Sequence, residues 1–343
     1  MHSYGIQKGD TLILILVMPC TNCYNNLDEQ RRNRFMYTFI VNPHARSGLG
    51  QKVWNELENL LKRKNVNFEV YFTKYQKHAT KITSEITSDG QEHTVVALGG
   101  DGTVNEVVNG IRNFEKTIFG YIPIGSSNDF ARGLELPTDP MEALQNILDC
   151  PNLHPMNVGE IYYKNKKRRF AVSAGAGFDA DICHEAVVSH VKRFLNKLKL
   201  GKLTYVCIAL HRLFVTKPCT VTVTMDNGKP KSFPKTYFVA LMNNKYEGGG
   251  EKFCPKAKND DDKLDILVAS DVSKLKVLCL IPLALFGWHT PFKGVHIYTC
   301  KHIDIHAEQA MPIHTDGEPI FLQQDVSAGC LSQKLRVITS KKL

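Results

Sequence analysis

No stretch of this sequence reaches the roughly 20 consecutive apolar residues that cross a bilayer as a helix. The nearest, Thr11 to Pro19 (TLILILVMP), has only the length of a signal-peptide core, and Lys8 is the one lysine or arginine before it. Proline precedes Cys20, which makes VMPC a poor lipoprotein cleavage site. No Gly-x-x-x-x-Gly-Lys-Ser/Thr occurs, which excludes a Walker-type phosphate loop. No Gly-x-Gly-x-x-Gly opens a strand–helix–strand unit, so a Rossmann dinucleotide site is unsupported. No basic run interleaves with aromatics as in a nucleic-acid groove, and nucleic acid ranks last among partners. Ten cysteines are scattered, with Cys20 and Cys23 the only close pair. A structural zinc needs four ligands, and no second such pair or spaced histidine pair completes one. The cysteines read as reduced core thiols of a reducing cytosol.

What is present fits two domains. A chain of 343 residues is long enough for two sizeable cores. Its 43% hydrophobic and 22% charged residues are ordinary for a globular protein. The net charge of +9, from 43 Lys+Arg against 34 Asp+Glu, is a moderate basic excess. It suits a plain solvated surface, an anionic membrane or a polyphosphate ligand. "MYTFIVNP" from Met36 begins like the first strand of a domain, whereas "NNLDEQRRNR" before it has no periodicity. Residues 1–35 are therefore expected to be a dispensable or mis-assigned extension, with a targeting segment as the alternative.

From Met36 to Asp149, strand-like runs alternate with amphipathic stretches. "MYTFIV", "VNFEVYFT", "HTVVALGG" and "IFGYIPIG" are strands, and "GQKVWNELENLLKRKN", "HATKITSEITSDG", "TVNEVVNGI" and "DPMEALQNILD" are helices. That alternation predicts a parallel sheet with helices on its faces. After Pro151 the texture changes. "KNKK" reads as a hairpin turn, and the period-two stretch around Asp-Asn-Gly in "CTVTVTMDNGKPKSFPKTYFVALMNN" is a strong hairpin signal. "KLDILVAS", "VHIYTCKHIDIHA" and "PIHTDGEPI" are further strands, and "KLRVITS" is a final strand with no evident partner.

Three loops follow strands of the first half: "NPHARSG", "LGGDGT" and "PIGSSNDFARGL". Loops at the carboxyl ends of parallel strands share one edge, where ligands bind. Gly99, Gly100 and Gly102 let a ligand approach the backbone, and Thr103 is placed to cap the helix that follows. Free N–H groups at that helix start attract phosphate, whereas Asp101 repels it unless a cation such as Mg²⁺ intervenes.

The ordered set "VNPHARSG", "LGGDGTVNEVVNGI", "IPIGSSNDFARGL", "SAGAGFDADI", "GGGEKFCPKAKNDDDKLDI" and "TDGEP" resembles the diacylglycerol kinase catalytic family, soluble lipid kinases related to sphingosine kinases. The resemblance runs from about Met36 to the C-terminus. It implies an N-terminal α/β nucleotide domain like those of phosphofructokinase and NAD kinase, over residues 36–152 plus 325–343. It also implies an antiparallel β-sandwich domain over 153–324, with the site in the cleft between. By resemblance, ATP meets Asn42, Pro43, His44, Ala45 and Arg46, then Thr73, then Gly99, Gly100, Asp101, Gly102, Thr103, Val104 and Asn105, and Ser126.

Asp-Gly-Glu in "HTDGEP" taken alone is most often a solvated turn. A kinase acting on an alcohol, however, needs a group to take the hydroxyl proton. By resemblance that base is Glu318, with Asp316 orienting it or the lipid hydroxyl. The resemblance also implies a structural metal held by the Asp261 carboxylate and the carbonyls of Lys258 and Lys263, and a Mg²⁺ network of Asp101, Asp129 and Asn157. Two positions depart from the family: it usually has glycine at Asp262 and aspartate at Asn157. Asp179 and Asp181 lie in "AGAGFDADI", and in the related sphingosine kinases an acid at the place of Asp181 contacts the lipid head group. "HVKRFLNKLKLGKL" alternates cations with Phe and Leu, as an ordinary amphipathic helix or as a membrane-surface face.

The expectation is a cytoplasmic, ATP- and Mg²⁺-dependent lipid kinase, peripheral to the inner membrane face, acting on a diacylglycerol-like lipid alcohol. An NAD kinase-like enzyme and a non-catalytic lipid- or nucleotide-binding regulator are the alternatives. A homodimer is left open.

Overall fold

The structure, a computed structural model, describes residues 5–7, 12–14, 36–150, 152–188, 208 and 210–340. Gly5–Gln7 (β1) and Leu12–Leu14 (β2) pair antiparallel. The first large unit comprises β3 (Tyr37–Val41), α1 (Ala45–Arg63), β4 (Phe68–Phe72), α2 (His78–Ile86), β5 (His93–Gly99), α3 (Asp101–Gly110), β6 (Thr117–Pro123), α4 (Asp129–Gly133), α5 (Pro140–Asp149) and β7 (Asn152–Met156). A last strand, β17 (Leu335–Thr339), joins it, giving the order β4-β3-β5-β6-β17-β7. All neighbours are parallel except β17 and β7.

The central strands are continuous apolar runs because helices cover both faces. On one face Ile40, Val95, Ala97 and Phe119 pack with Ala79 and Ile82 of α2 and Val104, Val107 and Val108 of α3. On the other, Phe39, Val41, Val96 and Leu98 pack with Trp54, Leu57 and Leu61 of α1 and Leu144, Ile147 and Leu148 of α5. Trp54 is ringed by Phe39, Phe68 and Phe72, with centroids at 5.1, 6.0 and 6.2 Å. α5 shows how sequence sets an element. The Asp139 side chain accepts from Met141 N and Glu142 N, Pro140 opens the first turn, and a left-handed Cys150 (φ 39°) ends it.

The second unit contains β8 (Gly159–Tyr163), β9 (Lys166–Phe170), β10 (Ser173–Gly177), α6 (Phe178–Val188), β11 (Cys219–Met225), β12 (Lys231–Met242), β13 (Leu264–Ser270), α7 (Lys274–Ala284), β14 (Val295–Cys300), β15 (His302–Thr315) and β16 (Glu318–Cys330). The long strands β12 and β15 each pair with β11 over one half and β10 over the other. Register shifts between Thr236 and Phe238, and between His306 and Met311, let both strands bend. The sheet thus closes into a sandwich around Val221, Val223, Phe233, Val239, Ile266, Val268, Ile305 and Ile313. Two-residue turns with positive φ at Lys164–Asn165 and Asp316–Gly317 tighten its hairpins.

The crossing points differ from the expected 152 and 325. β7 still belongs to the parallel sheet, since it pairs with β17, and the chain leaves only at 157–158. β16 stays in the sandwich to Cys330, held by β15 and β8, and the chain returns at 331–334. "KLRVITS" finds its partners in β6 and β7. "VHIYTCKHIDIHA" splits into β14 and β15, and α7 is an addition to the elements read from the sequence. Residues 1–35 (apart from β1 and β2) and 189–207, which carry the apolar N-terminal run and the basic amphipathic stretch, lie outside the described residues.

Candidate functional site

Four loops meet at the carboxyl edge of the parallel strands. After β3, Asn42 N donates to Leu98 O at 2.9 Å, its Oδ1 accepts from His44 N at 3.1 Å, and its Nδ2 reaches Thr103 Oγ1 at 3.4 Å. Arg46, Ser47 and Gly48 follow, all left-handed (φ 47°, 59° and 90°). After β4, Thr73 N donates to Val41 O at 2.9 Å. The loops after β5 and β6 touch backbone to backbone: a Cβ on Gly125, next to Ser126, would stand 2.7 Å from Gly100 Cα. Only glycine permits that approach. Thr103 does not cap α3 as expected. Gly100 takes the extended cap conformation (φ −105°, ψ −175°), so the helix starts at Asp101 and Thr103 lies inside its first turn.

Asp101 and Asp129 come together at the start of α4. Asp101 Oδ1 accepts from Phe130 N at 3.1 Å. Burial raises its carboxyl above the usual range; the N–H groups of residues 130, 129 and 128 oppose the shift, and the charge of Asp316 adds to it. Asp129 is 5% exposed. It pairs with Arg132 at 2.6 Å and accepts from Gly249 N at 2.8 Å. Burial, then the charge of Asp101, pushes it up to about 6. Nearby Glu251 is pushed up to about 7 by burial, with Asp129 and Glu247 adding to the effect. Carboxylate oxygens are of the hard donor type that a divalent cation such as Mg²⁺ takes, and here Asp129 Oδ1 already meets Arg132 and Oδ2 Gly249 N, while Asp101 Oδ1 meets Phe130 N.

Asn157 makes no hydrogen bond to either aspartate among the described residues, and its buried Nδ2 has no partner there. Its N donates to Asn259 O at 2.6 Å, its Oδ1 accepts from Asp262 N at 3.3 Å, and its O accepts from Asn243 Nδ2 at 2.8 Å. It sits where the chain passes from β7 to β8, which turns it toward the 259–262 loop.

The β15–β16 hairpin carries the third group of residues to this edge. Asp316 N donates to Ser173 O at 2.8 Å. Its carboxylate accepts from the N–H groups of Ala171, Val172 and Ser173 at 2.9, 2.8 and 3.0 Å, and from Asn105 Nδ2 at 2.8 Å. Those oxygens accept from the protein itself, so Asp316 clamps the hairpin tip from which Glu318 follows. Glu318 makes different contacts. Its Oε2 accepts from Gln76 Nε2 at 3.3 Å, and its Oε1 would lie 3.0 Å from a Cβ on Gly102.

Behind the tip lies a residue the motifs did not single out. His314 is fully buried. Its Nδ1 accepts from Gly317 N at 3.1 Å, which leaves its proton on Nε2, 3.2 Å from Asp179 Oδ2 and 3.1 Å from Glu247 Oε1. Burial pushes the Glu247 carboxyl up, so the triad as a unit retains protons. Only tertiary contact joins residues from three separate segments.

Two families match this chain in tandem. Residues 36–161 match the diacylglycerol kinase catalytic domain, and residues 172–339 match the YegS C-terminal NAD kinase beta sandwich-like domain. The chain belongs to the diacylglycerol kinase catalytic family. It is 29% identical over 288 residues to a Bacillus subtilis protein named lipid kinase YtlR, covering 82% of this chain and 92% of that one. It is 28% identical over 283 residues to a diacylglycerol kinase of Staphylococcus saprophyticus, covering 81% and 87%. A crystal structure of a diacylglycerol kinase from Bacillus anthracis superposes with a TM-score of 0.65 at 22% identity, covering 89% of this chain and 96% of that one. This likeness shows the shared fold.

In this lipid kinase Asp262 stands in the 258–263 loop where the family usually has glycine. That residue adopts φ 61°, the left-handed region glycine favours, at a cost of about 1 kcal/mol. Its Oδ1 pairs with Lys334 Nζ at 3.0 Å, and the same ammonium donates to Asp260 O. Asp261 Oδ1 accepts from Lys263 N at 3.1 Å. The Asp261 carboxylate and the carbonyls of Lys258 and Lys263 belong to one turn and are of the oxygen-donor type a hard cation takes. Asp181 is drawn elsewhere: Arg212 pairs with it at 2.8 Å and Thr216 Oγ1 donates to it at 2.9 Å.

Proposed function

We propose that this lipid kinase transfers the γ-phosphoryl group of ATP to the free hydroxyl of diacylglycerol, giving phosphatidic acid, with Glu318 as the general base. The observation that carries the reading is the position of Glu318 at the hairpin tip, facing Gly102 at the head of α3. The loops of Asn42 to Arg46, Thr73, Gly99 to Asn105 and Ser126 hold the nucleotide. The N–H groups at the start of α3 receive phosphate oxygens. Asp101 and Asp129 hold Mg²⁺, which neutralises charge on the phosphates when bound. Glu318 is free to accept the hydroxyl proton because its oxygens, unlike those of Asp316, are bound among the described residues only by the single long contact from Gln76. Asp261 with the carbonyls of Lys258 and Lys263 holds a second, structural cation. The enzyme works at the membrane surface, where its substrate resides.

The relatives include YegS-like lipid kinases, so the acceptor is to be identified directly. Incubation with radiolabelled ATP, Mg²⁺ and total membrane lipids, followed by identification of the labelled product, is the test. Labelled phosphatidic acid supports the reading, and label in another lipid replaces diacylglycerol as the acceptor. Label in NAD with none in lipid ends it.

A further inference from the structure

α7 and the turn after it contradict the usual logic of a surface. Leu275, Leu278, Leu285, Phe286, Trp288 and Phe292 are exposed, with Leu275 at 71%, Phe286 at 60% and Trp288 at 64%. Phe286 and Trp288 stack on each other, centroids 4.9 Å apart, instead of entering the core. Contiguous exposed apolar groups of this size mark an interaction site. The charges agree. No carboxylate occurs between Asp271 and Asp304, whereas Lys274, Lys276 and Lys293 fall in that span. Lys274 and Lys276 lie in the first turn of α7, where the helix dipole disfavours cations. Lys274 Nζ donates to Phe214 O and Lys276 Nζ to Lys293 O, backbone contacts that leave both ammonium charges without a carboxylate partner among the described residues.

This face is joined to the site. Lys252 N donates to Ala284 O at 2.8 Å, and His289 Nε2 contacts Phe253 O at 3.1 Å. These bonds fix the end of α7 to the 246–255 loop, whose Gly249 N–H binds Asp129.

We propose that this face docks on an anionic lipid bilayer, with Phe286 and Trp288 entering the headgroup boundary and Lys274, Lys276 and Lys293 lying over acidic headgroups. Aromatic residues favour that boundary, and lysines are drawn to its negative potential. The inference rests on the lipid-kinase reading, since docking would set the cleft beside a bilayer-borne acceptor.

The chain offers a built-in probe. It has two tryptophans, and Trp54 is buried, so a change in tryptophan emission on adding vesicles reports on Trp288. The full chain is mixed with phosphatidylcholine vesicles with or without phosphatidylglycerol. A blue shift and protection from iodide quenching are expected only with phosphatidylglycerol. Phe286→Ser with Trp288→Ser is expected to weaken vesicle co-sedimentation about tenfold or more, and Lys274→Glu with Lys276→Glu about fivefold or more. Both variants are expected to phosphorylate a short-chain, monomeric diacylglycerol as the parent does. An unshifted, fully quenchable Trp288 overturns the proposal. So does emission already blue before vesicles are added, which means that another chain segment or a second copy covers the face. Failure of the parent to phosphorylate any lipid, with vesicle binding intact, overturns the kinase reading and leaves the docking face standing.

Discussion

Glu318 faces Gly102 so closely that a side chain on the glycine would meet it: a Cβ there would stand 3.0 Å from Glu318 Oε1. The hairpin of one domain therefore closes on the helix start of the other, and the contact between them is the chemistry proposed.

Glu318→Gln keeps the shape and the Gln76 contact but removes the base. Turnover is expected to fall about 10²–10⁴-fold, with the melting temperature and ATP affinity unchanged. Steady-state kinetics with calorimetric ATP titration check this. Normal turnover would remove Glu318 from the mechanism.

Gly102→Ala separates stability from activity. Gly102 has an ordinary helical φ, so alanine adds helix propensity of up to about 1 kcal/mol. Its methyl group makes the Glu318 carboxylate give way by a few tenths of an ångström. The melting temperature should hold or rise while kcat falls about tenfold to hundredfold. A variant as active as the parent would show that Glu318 does not work from this position.

Asp316→Asn tests the clamp. The variant loses the charge that three backbone N–H groups and Asn105 bind. The expected loss is about 2–4 kcal/mol of stability, seen in denaturant unfolding. Activity lost with stability intact would assign Asp316 to catalysis instead.

Asp129 gives a pH dependence. Burial, then the charge of Asp101, pushes its carboxyl from the ordinary 3.8 up to about 6 in the folded chain. Between those values the folded protein holds a proton that the unfolded chain releases, so stability of the cation-free protein falls as pH rises from 4 to 6. The contribution is on the order of 2–3 kcal/mol. Asp129→Asn should flatten that slope in thermal melts. An unchanged slope would place the titration elsewhere.

Much of the fold could be read from periodicity. The strands of the first domain are apolar throughout because both faces are covered, and each helix carries one apolar stripe, as in Ala143, Leu144, Ile147 and Leu148 of α5. α7 is not legible in the sequence because beyond Lys276 it is apolar on every side, without the polar face that marks an amphipathic helix. Thr103 was misplaced as a cap because the extended conformation of Gly100 is a backbone choice that composition leaves open.

By itself, the sequence determined the order of strands and helices, the glycine turns at their ends and the residue types available for phosphate and cation chemistry. These follow from local rules: side-chain periodicity, the freedom of glycine and the charge of carboxylates. Only the tertiary structure decided which of those residues meet. It bound the Asp316 carboxylate to the 171–173 backbone and set Glu318 against Gly102, and it gave Asn157 the 259–262 loop and Asp181 Arg212 as partners. It also enclosed His314 between Asp179 and Glu247. The reason is that a hydrogen-bond partner or a neighbouring charge distant in sequence is set by how the two sheets pack, which no local pattern encodes.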